Sequence, residues 1–364
     1  MVEDIPYQPD YPVSPGDTLL ETLDARGMTQ AELAERTGRP RKTINEIIKG
    51  KAPITLETAL QLERVLGVPA HFWNALEANY REALTRQQEV DLLGTRTEWL
   101  QRFPWRAMTR FGWLPHYNDR GSQAQALLQF FGVASPEVWE RLWMSPRAAF
   151  RRSQVYTTDI AAVAAWLRKG EIDAQQVQCD PYRASGLRQV LARVRTLTTE
   201  PPDIFVPRLR ELCARVGVAV VFVRELPHCR VSGATRWLTS EKALVQLSLR
   251  FKTDDHLWFT FFHEVGHLLL HGKRCAFIET NGEGSEAPHE EKEANEFAAD
   301  TLIPRRAYIA FAAGKPSKAD VEQFAASLGI APGIVIGRLQ HDHIIPLQWF
   351  NDLKRHFQWS EDPD

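Results

Sequence analysis

An apolar segment at residues 257–271 contains two histidines and a glutamate in the order His-Glu-x-x-His. The Phe, Val and Leu residues around them predict a buried helix. His263 and His267 are four residues apart, so their imidazoles lie on one helical face, about one turn from each other. Buried polar groups need partners, and a single Zn²⁺ bound at ~2.1 Å would supply one for both rings. The segment therefore requires a fold that encloses this helix.

Glu264 follows the first histidine and is rotated about 100° from it, beside a metal ion rather than on it. There its carboxylate can accept a proton from an attacking water and later protonate the leaving amine of a peptide. A structural zinc site has no need of such a carboxylate, so the pattern favours catalysis by Glu264. In the alternative interpretation, the histidines form ordinary hydrogen bonds inside a core.

A catalytic zinc site of this kind needs a third ligand. His271 lies eight residues after His263, ~12 Å along the helix axis, so one ion cannot bind both. A second, acidic helical pattern follows at residues 290–300. A carboxylate from that helix would complete a site of two histidines and one glutamate with a fourth position open.

The stretches HEVGHLLLH and EKEANEFAADTLIP, with the strand-rich sequence before them, resemble the ImmA/IrrE family of metallopeptidases over roughly residues 205–345. The resemblance implies a gluzincin-like fold, one Zn²⁺ per chain, and Glu293 as the third metal ligand beside His263 and His267. Competing carboxylates, and the candidates for a group that orients a histidine, lie on the same helix. The competing ligands are Glu290 and Glu296, and the orienting candidates are Asn295 and Asp300.

Three β-rich segments precede the apolar helix and predict strands at residues 218–223, 232–238 and 243–249. In gluzincin-like folds an edge strand pairs with the substrate backbone. The candidate for that strand contains Gly233, Ala234, Thr235 and Arg236. Arg236 either contacts the substrate or caps the sheet. The group that stabilises the oxyanion stays open among His256, His271, Tyr308 and Arg236.

The first eighty residues carry dense helix start and stop signals. Thr29 and Glu32 form a capping-box pattern before a short helix at 31–36, which Thr37 and Gly38 end. A second helix follows at residues 40–49. Two short helices joined by a turn that contains glycine predict a helix-turn-helix.

The second of these helices is predicted to be the recognition helix. Residues 36–51 carry six basic side chains and one acidic side chain, a local charge of +5. Such side chains neutralise phosphates, and Arg and Asn can bind guanine and adenine edges. The candidate base-reading residues are Arg39, Arg41, Lys42, Thr43 and Asn45, with Gln30 expected to contact phosphate. Alternatively, the basic face is a solvated surface of a helical bundle.

The stretches TQAELAERTG, INEIIKGKAPIT and ALQLERVLG resemble the Xre-type DNA-binding domain of HigA/VapI antitoxins over about sixty residues. The resemblance implies binding to operator DNA, and such domains usually act as homodimers on paired half-sites.

Length and composition set the domain organisation. The chain has 364 residues, of which 44% are hydrophobic and 25% charged, as in globular proteins of two or three domains. We expect a mainly α fold with an α+β C-terminal domain. The predicted divisions are a helix-turn-helix bundle at 1–80, a helical linker, oligomerisation or sensor region at 81–200, the metallopeptidase domain at 201–350, and a tail at 351–364. A polar, Pro-containing break at residues 196–203 is the predicted linker.

Charge, cysteine content and hydropathy exclude several classes. The net charge of −2 leaves only local attraction for nucleic acid, and four scattered cysteines without a CxxC pair argue against a disulfide framework or a Cys-based zinc site. No apolar run approaches the ~20 residues that cross a bilayer, and the acidic N-terminus lacks signal-peptide features. We therefore expect a cytoplasmic protein with no membrane partner.

Together these patterns predict a DNA-binding transcriptional regulator that carries a zinc-dependent metalloendopeptidase domain, latent or regulated. Its substrate would be a repressor or the chain itself. The alternative is a HigA-type antitoxin that regulates its own operator and binds a toxin. In that case the metal domain is a sensor or structural element.

Overall fold

The structure is a computed structural model, and it describes residues 13–143, 159–272, 277–279, 289–314 and 316–360.

Contacts between residues divide the chain into two compact units. The first unit contains the described residues of Met1–Thr97 together with Tyr117–Gln125. The second unit contains those of Glu98–His116 and Ala126–Asp364. The helical region predicted as one piece at residues 81–200 is thus distributed over both units.

The first unit is built from α1 (Pro15–Ala25), α2 (Gln30–Thr37), α3 (Arg41–Ile48), α4 (Leu56–Leu66) and α5 (Ala70–Gly94). Several of the predicted start and stop signals are used. The Thr29 hydroxyl accepts the Glu32 amide at 3.2 Å, and Gly38 ends α2 with φ of +67°. The Glu32 carboxylate instead pairs with Arg36 at 2.6 Å. Apolar faces of these helices enclose a core around the fully buried Trp73.

A close helix contact holds the end of α3 in this unit. Gly16, in the first turn of α1, lies against the last carbonyls of α3. A Cβ at Gly16 would approach the carbonyl oxygens of Ile47 and Ile48 to 2.6 and 2.2 Å. Only glycine allows this approach, so the position of α3 depends on the absence of a side chain there.

The helices that follow α5 supply most of the second unit, although residues 120–125, at the start of the third of them, belong to the first unit. In chain order they are α6 (Thr97–Gln101), α7 (Trp105–Arg110), α8 (Arg120–Phe131), α9 (Pro136–Trp143), α10 (Ile160–Gln175), α11 (Ala184–Thr196), α12 (Pro202–Ala214), α13 (Asp254–Leu270), α14 (His289–Leu302), α15 (Arg305–Ala312), α16 (Lys318–Leu328) and α17 (Pro332–His341).

A four-stranded mixed sheet completes the second unit. Its strands are β1 (Val218–Phe222), β2 (Gly233–Thr239), β3 (Lys242–Leu247) and β4 (Phe277–Glu279), in the spatial order β1-β3-β2-β4. β1 and β3 are parallel, whereas β2 runs antiparallel to both β3 and β4. The predicted mainly helical fold with an α+β C-terminal part is confirmed.

Helix α13 crosses the core of this unit and contacts the sheet, α14 and α17. Thirteen of its seventeen residues are buried, as the apolar segment predicted. Gly266 permits a close approach of α14: a Cβ there would lie 3.2 Å from Ala294 Cα and 3.1 Å from Phe297 Cδ1. The polar side chains of α13 are therefore held inside a helix–sheet–helix core.

The prediction that residues 196–203 form a linker is wrong. This segment forms a 3₁₀ turn at Leu197–Thr199 and the first turn of α12, inside the second unit. Leu197 and Thr198 are buried, and the Thr198 hydroxyl accepts the amide of Ala331 at 3.3 Å. The two prolines, which indicated a break, instead start a helix, where a missing amide hydrogen costs nothing.

Among the described helices, none alone has the length and apolar character needed to cross a membrane. One bent pair, α16 with α17 at 116°, meets the requirement by length and composition only.

Candidate metal centre and nucleic-acid interface

Three side chains converge between α13 and α14. The Nε2 atoms of His263 and His267 are 2.9 Å apart. The Glu291 carboxylate lies 3.3 Å from His263 Nε2 and 3.6 Å from His267 Nε2. In a tetrahedral zinc site with bonds of ~2.1 Å, neighbouring ligand atoms are about 3.4 Å apart. The spacing and the chemistry of these three groups therefore fit Zn²⁺.

Glu293 is the predicted third ligand, but the carboxylate that the structure brings to the two histidines is that of Glu291. The two glutamates are two residues apart and point about 200° away from each other around α14. The face of α14 that packs on α13 carries the buried Ala294 and Ala298. Glu291, three and seven residues before these alanines, shares that face and reaches both histidines.

Glu293, the residue predicted as the ligand, lies on another face of α14. Its carboxylate is 3.1 Å from His271 Nε2 and 3.1 Å from His289 Nδ1. The alternative ligand Glu296 is exposed. Asn295, one of the two predicted orienting residues, does contact a histidine, with its Oδ1 2.9 Å from His263 Nδ1.

The local environment sets the charge of the converging groups. Burial lowers the pKa of His267, the nearby His263 lowers it further, and together these outweigh the raising effect of Glu291. Burial alone would raise the pKa of Glu291, but the two adjacent imidazoles outweigh burial and lower that pKa to about 2. Neutral imidazole and ionised carboxylate are the forms that bind a metal ion.

Glu264 is fully buried on α13, directly after His263. The first residues of β2 cover it: the Thr235 hydroxyl donates to the Glu264 backbone carbonyl at 3.1 Å. Gly233 lies against its side chain, where a Cβ would come within 2.8 Å of Glu264 Oε1 and 2.5 Å of Thr260 Cγ2. Glycine at this position therefore leaves room for the carboxylate.

The expectation that residues 233–236 form an exposed edge is corrected for three of them. Gly233, Ala234 and Thr235 pair with β4 on one side and with β3 on the other. β4 is only three residues long, and the sequence analysis did not predict it as a strand. The 233–235 segment is therefore interior, and β4 lies beyond it.

Arg236 has a structural environment. Its guanidinium donates to the Leu167 carbonyl at 2.7 Å and lies 3.4 Å from the Glu171 carboxylate, both on α10. Burial lowers its pKa, although Glu171 opposes this effect. Of the two roles left open for Arg236, these contacts fit the one that ties the sheet to a neighbouring helix.

The candidates for oxyanion stabilisation also have partners elsewhere. His256 stacks on Phe251 with ring centroids 4.1 Å apart. The Arg338 guanidinium lies 4.9 Å above the Tyr308 ring. His271 Nδ1 is 3.0 Å from His267 Nδ1, so it contacts a candidate metal ligand.

In the first unit, α2 and α3 form the predicted helix-turn-helix. The predicted recognition helix α3 buries Ile44 and Ile47 and exposes Arg41, Lys42 and Asn45. Thr43 is half-buried, and Gln30 is exposed at the first position of α2. Arg41, Lys42 and Asn45 are therefore accessible to a nucleic acid while Ile44 and Ile47 stay in the core.

Arg39, a predicted base-reading residue, contacts two side chains of α4. Its Nε donates to Gln61 Oε1 at 2.5 Å, and its Nη2 lies 3.4 Å from the Glu57 carboxylate. These contacts leave the side chain 19% exposed. In this structure Arg39 ties α4 to the turn before α3.

Comparison with known proteins finds two segments that match protein families. Residues 19–73 match a family described as helix-turn-helix, and residues 223–340 match the IrrE N-terminal-like domain, a peptidase-family domain. No curated protein matches the chain.

Solved structures with similarity to the N-terminal part are antitoxins. An addiction module antidote protein of the HigA family from Coxiella burnetii is 27% identical, with 23% of this chain and 91% of that chain covered and a TM-score of 0.22. An antidote protein of a plasmid maintenance system from Nostoc punctiforme is 29% identical, with coverages of 21% and 86% and a TM-score of 0.21. Antitoxin GraA is 27% identical, with coverages of 23% and 90% and a TM-score of 0.22.

The two family matches agree with the resemblances found in the sequence. Residues 19–73 are thus similar to an Xre-type helix-turn-helix DNA-binding domain, and residues 223–340 are similar to the IrrE/ImmA-like peptidase family.

Proposed function

We propose that this chain is a DNA-binding transcriptional regulator whose second unit is a zinc-dependent metallopeptidase. The observation that carries the proposal is the convergence of His263, His267 and Glu291 beside the buried Glu264. Two imidazoles and one carboxylate form the ligand set of catalytic zinc sites that keep a fourth position open. The match to a peptidase family supports the same chemistry.

Each residue of the site has a distinct role in this proposal. His263, His267 and Glu291 hold one Zn²⁺ per chain, which supplies a Lewis acid for a peptide carbonyl. Glu264 accepts the proton of the attacking water and then gives a proton to the leaving amine. Asn295 holds the ring of His263 in place through its Nδ1 atom. Gly233 keeps space for the Glu264 carboxylate.

The substrate proposed is a protein that acts at the same DNA, either a repressor or another copy of this chain. Arg41, Lys42 and Asn45 form the exposed face of the recognition helix, so operator DNA is the second proposed partner. Binding as a homodimer on paired half-sites is the arrangement that a helix-turn-helix commonly uses.

Zinc content and proteolysis in the purified protein test this proposal. We expect about one zinc per chain after zinc is supplied, and zinc-dependent cleavage of the chain itself or of fluorescently labelled casein. Glu264→Gln should keep the zinc and reduce cleavage at least 100-fold, because the variant retains the side-chain shape but loses the general base. Glu296→Gln, an exposed glutamate on α14, is the matched control and should behave as the wild type.

The outcomes separate the candidate functions. Loss of zinc in Glu264→Gln would show that this residue is a ligand rather than a base. A protein that binds no zinc would refute the site. A protein that binds zinc but cleaves neither probe would favour the antitoxin alternative, in which the metal domain is a sensor or structural element.

A further inference from the structure

Three side chains form a relay that begins at His267 and leads through His271 to Glu293 near the surface. His267 Nδ1 is 3.0 Å from His271 Nδ1. His271 Nε2 is 3.1 Å from Glu293 Oε2. The His271 side chain is 5% exposed and the Glu293 side chain 44% exposed, so the chain runs from the buried site to a carboxylate in contact with solvent.

We propose that His271 and Glu293 are positioning residues that fix the ring tautomer of His267. This inference rests on the proposed zinc site and concerns a pair that the proposed catalytic roles do not use. It also explains why Glu293, which the sequence resemblance suggested as a ligand, is close to the site without reaching it.

The direction of each hydrogen bond follows from the chemistry of the end groups. An ionised carboxylate can only accept, so His271 donates from Nε2 to Glu293. A neutral His271 then has an unprotonated Nδ1, which can only accept from His267 Nδ1. The proton of His267 is therefore placed on Nδ1, and its Nε2 carries the lone pair that points toward His263 and Glu291.

The two histidines of the site are thus oriented by different means. His263 contacts an amide, and Asn295 can present either its oxygen or its nitrogen to the ring. His267 is connected to a charged acceptor through a second imidazole, and that acceptor allows one direction only. The imidazole of His289 also contacts Glu293. Its Nδ1 lies 3.1 Å from the same Glu293 oxygen and helps to hold the carboxylate.

Zinc affinity across four variants tests the inference in the full-length protein. We expect Glu293→Leu to weaken zinc binding 10- to 100-fold, the range found when an outer partner of a metal-binding histidine is removed. Glu293→Gln keeps a carbonyl that accepts from His271, so its affinity should lie closer to wild type. Glu291→Leu should lose zinc binding, and Glu296→Leu, exposed on the same helix, should leave it unchanged. Competition against a chelator of known affinity measures each dissociation constant.

A spectroscopic readout distinguishes orientation from general damage to the fold. With ring-¹⁵N histidine, long-range proton–nitrogen correlation identifies the tautomer of His267 in the metal-free protein. We expect the Nδ1-protonated form in the wild type and in Glu296→Leu, and a mixture of both forms in Glu293→Leu.

The inference is overturned in two ways. Zinc affinity and a His267 tautomer in Glu293→Leu equal to those of Glu296→Leu would show that the relay orients nothing. Loss of zinc in Glu293→Leu together with normal binding in Glu291→Leu would make Glu293 the ligand. A wild-type protein that binds no zinc would refute the proposed function instead. The tautomer of His267 in the metal-free protein would still test whether His271 and Glu293 orient its ring.

Discussion

The stability of the second unit should depend on pH through Asp254, the first residue of α13. Its side chain is fully buried, and its Oδ1 accepts the Asp255 amide at 2.9 Å. Among the described residues, its Oδ2 has no hydrogen-bond partner. Gly333 of α17 packs directly over the carboxylate. Burial, reinforced by the charge of Asp255, raises the pKa of Asp254 to about 6.

The size and sign of the effect follow from that pKa. An unfolded Asp ionises near 3.8, and each pH unit of difference corresponds to 1.36 kcal/mol. The folded state holds the proton more tightly, so its advantage is complete below pH 4 and is lost as the pH rises toward 6. Complete ionisation of Asp254 should therefore remove about 3 kcal/mol of unfolding free energy, of which roughly 2 kcal/mol is lost between pH 4 and pH 6.5.

Asp254→Asn removes this titration while it keeps an oxygen for the Asp255 amide. The assay is urea unfolding of wild type and variant from pH 4.5 to 7.5, followed by tryptophan fluorescence. The variant should gain stability relative to wild type as the pH rises, by about 2 kcal/mol over this range. Its absolute stability also contains a cost for the new amide group, so the change with pH is the informative quantity.

Asp203→Asn is the matched control, because Asp203 is exposed in the first turn of α12. Its difference from wild type should stay within a few tenths of a kcal/mol at every pH. A constant difference between Asp254→Asn and wild type across this pH range would refute the reasoning, since it would mean that burial does not raise the pKa of Asp254.

Three further predictions concern the two proposed functional surfaces. Gly233→Ala should reduce proteolysis at least 10-fold and leave the zinc content unchanged, because the added Cβ displaces the Glu264 carboxylate. Equal proteolysis and equal zinc content in variant and wild type would contradict this prediction. Arg41→Ala should weaken binding to a DNA duplex selected from a random pool by about 1–3 kcal/mol, measured by fluorescence anisotropy. Arg39→Ala should mainly lower the thermal stability of the first unit, since Arg39 is paired with Gln61. The reverse pattern would mean that Arg39 leaves these contacts to bind DNA.

Features that depend on local spacing could be predicted from the sequence. The i,i+4 spacing of His263 and His267 within an apolar segment fixed their common face as soon as the segment was helical. The same holds for α3, where Ile44 and Ile47 define the buried side and leave Arg41 outside. In both cases the periodicity of a single helix determines which side chains share a face, whatever elements pack against that helix.

Which carboxylate faces the two histidines depends on how α14 is rotated against α13, and no spacing within α14 determines that rotation. One signal was available in the sequence. The small residues Ala294 and Ala298 allow the close packing opposite Gly266, and Glu291 lies on the same stripe. A search for the small-residue face would have favoured Glu291 over Glu293.

Pairing between distant segments accounts for the other differences. β2 becomes an interior strand because β4, three residues long, pairs with it from a position more than forty residues later. A strand that short carries no periodic pattern. Arg39 is held by Gln61, which lies in the next helix but one, so its exposure could not be deduced from the basic segment around it.

The two faces of α3 divide folding from recognition. The helix is anchored by Ile44 and Ile47 in the core and by Gly16 against its last carbonyls, whereas Arg41 and Asn45 contribute nothing to that anchoring. Substitutions at the exposed positions are therefore nearly neutral for the scaffold, so the proposed DNA-binding face can change without compensating mutations in the core. The same separation makes α3 suitable for a combinatorial library in which only the exposed positions vary.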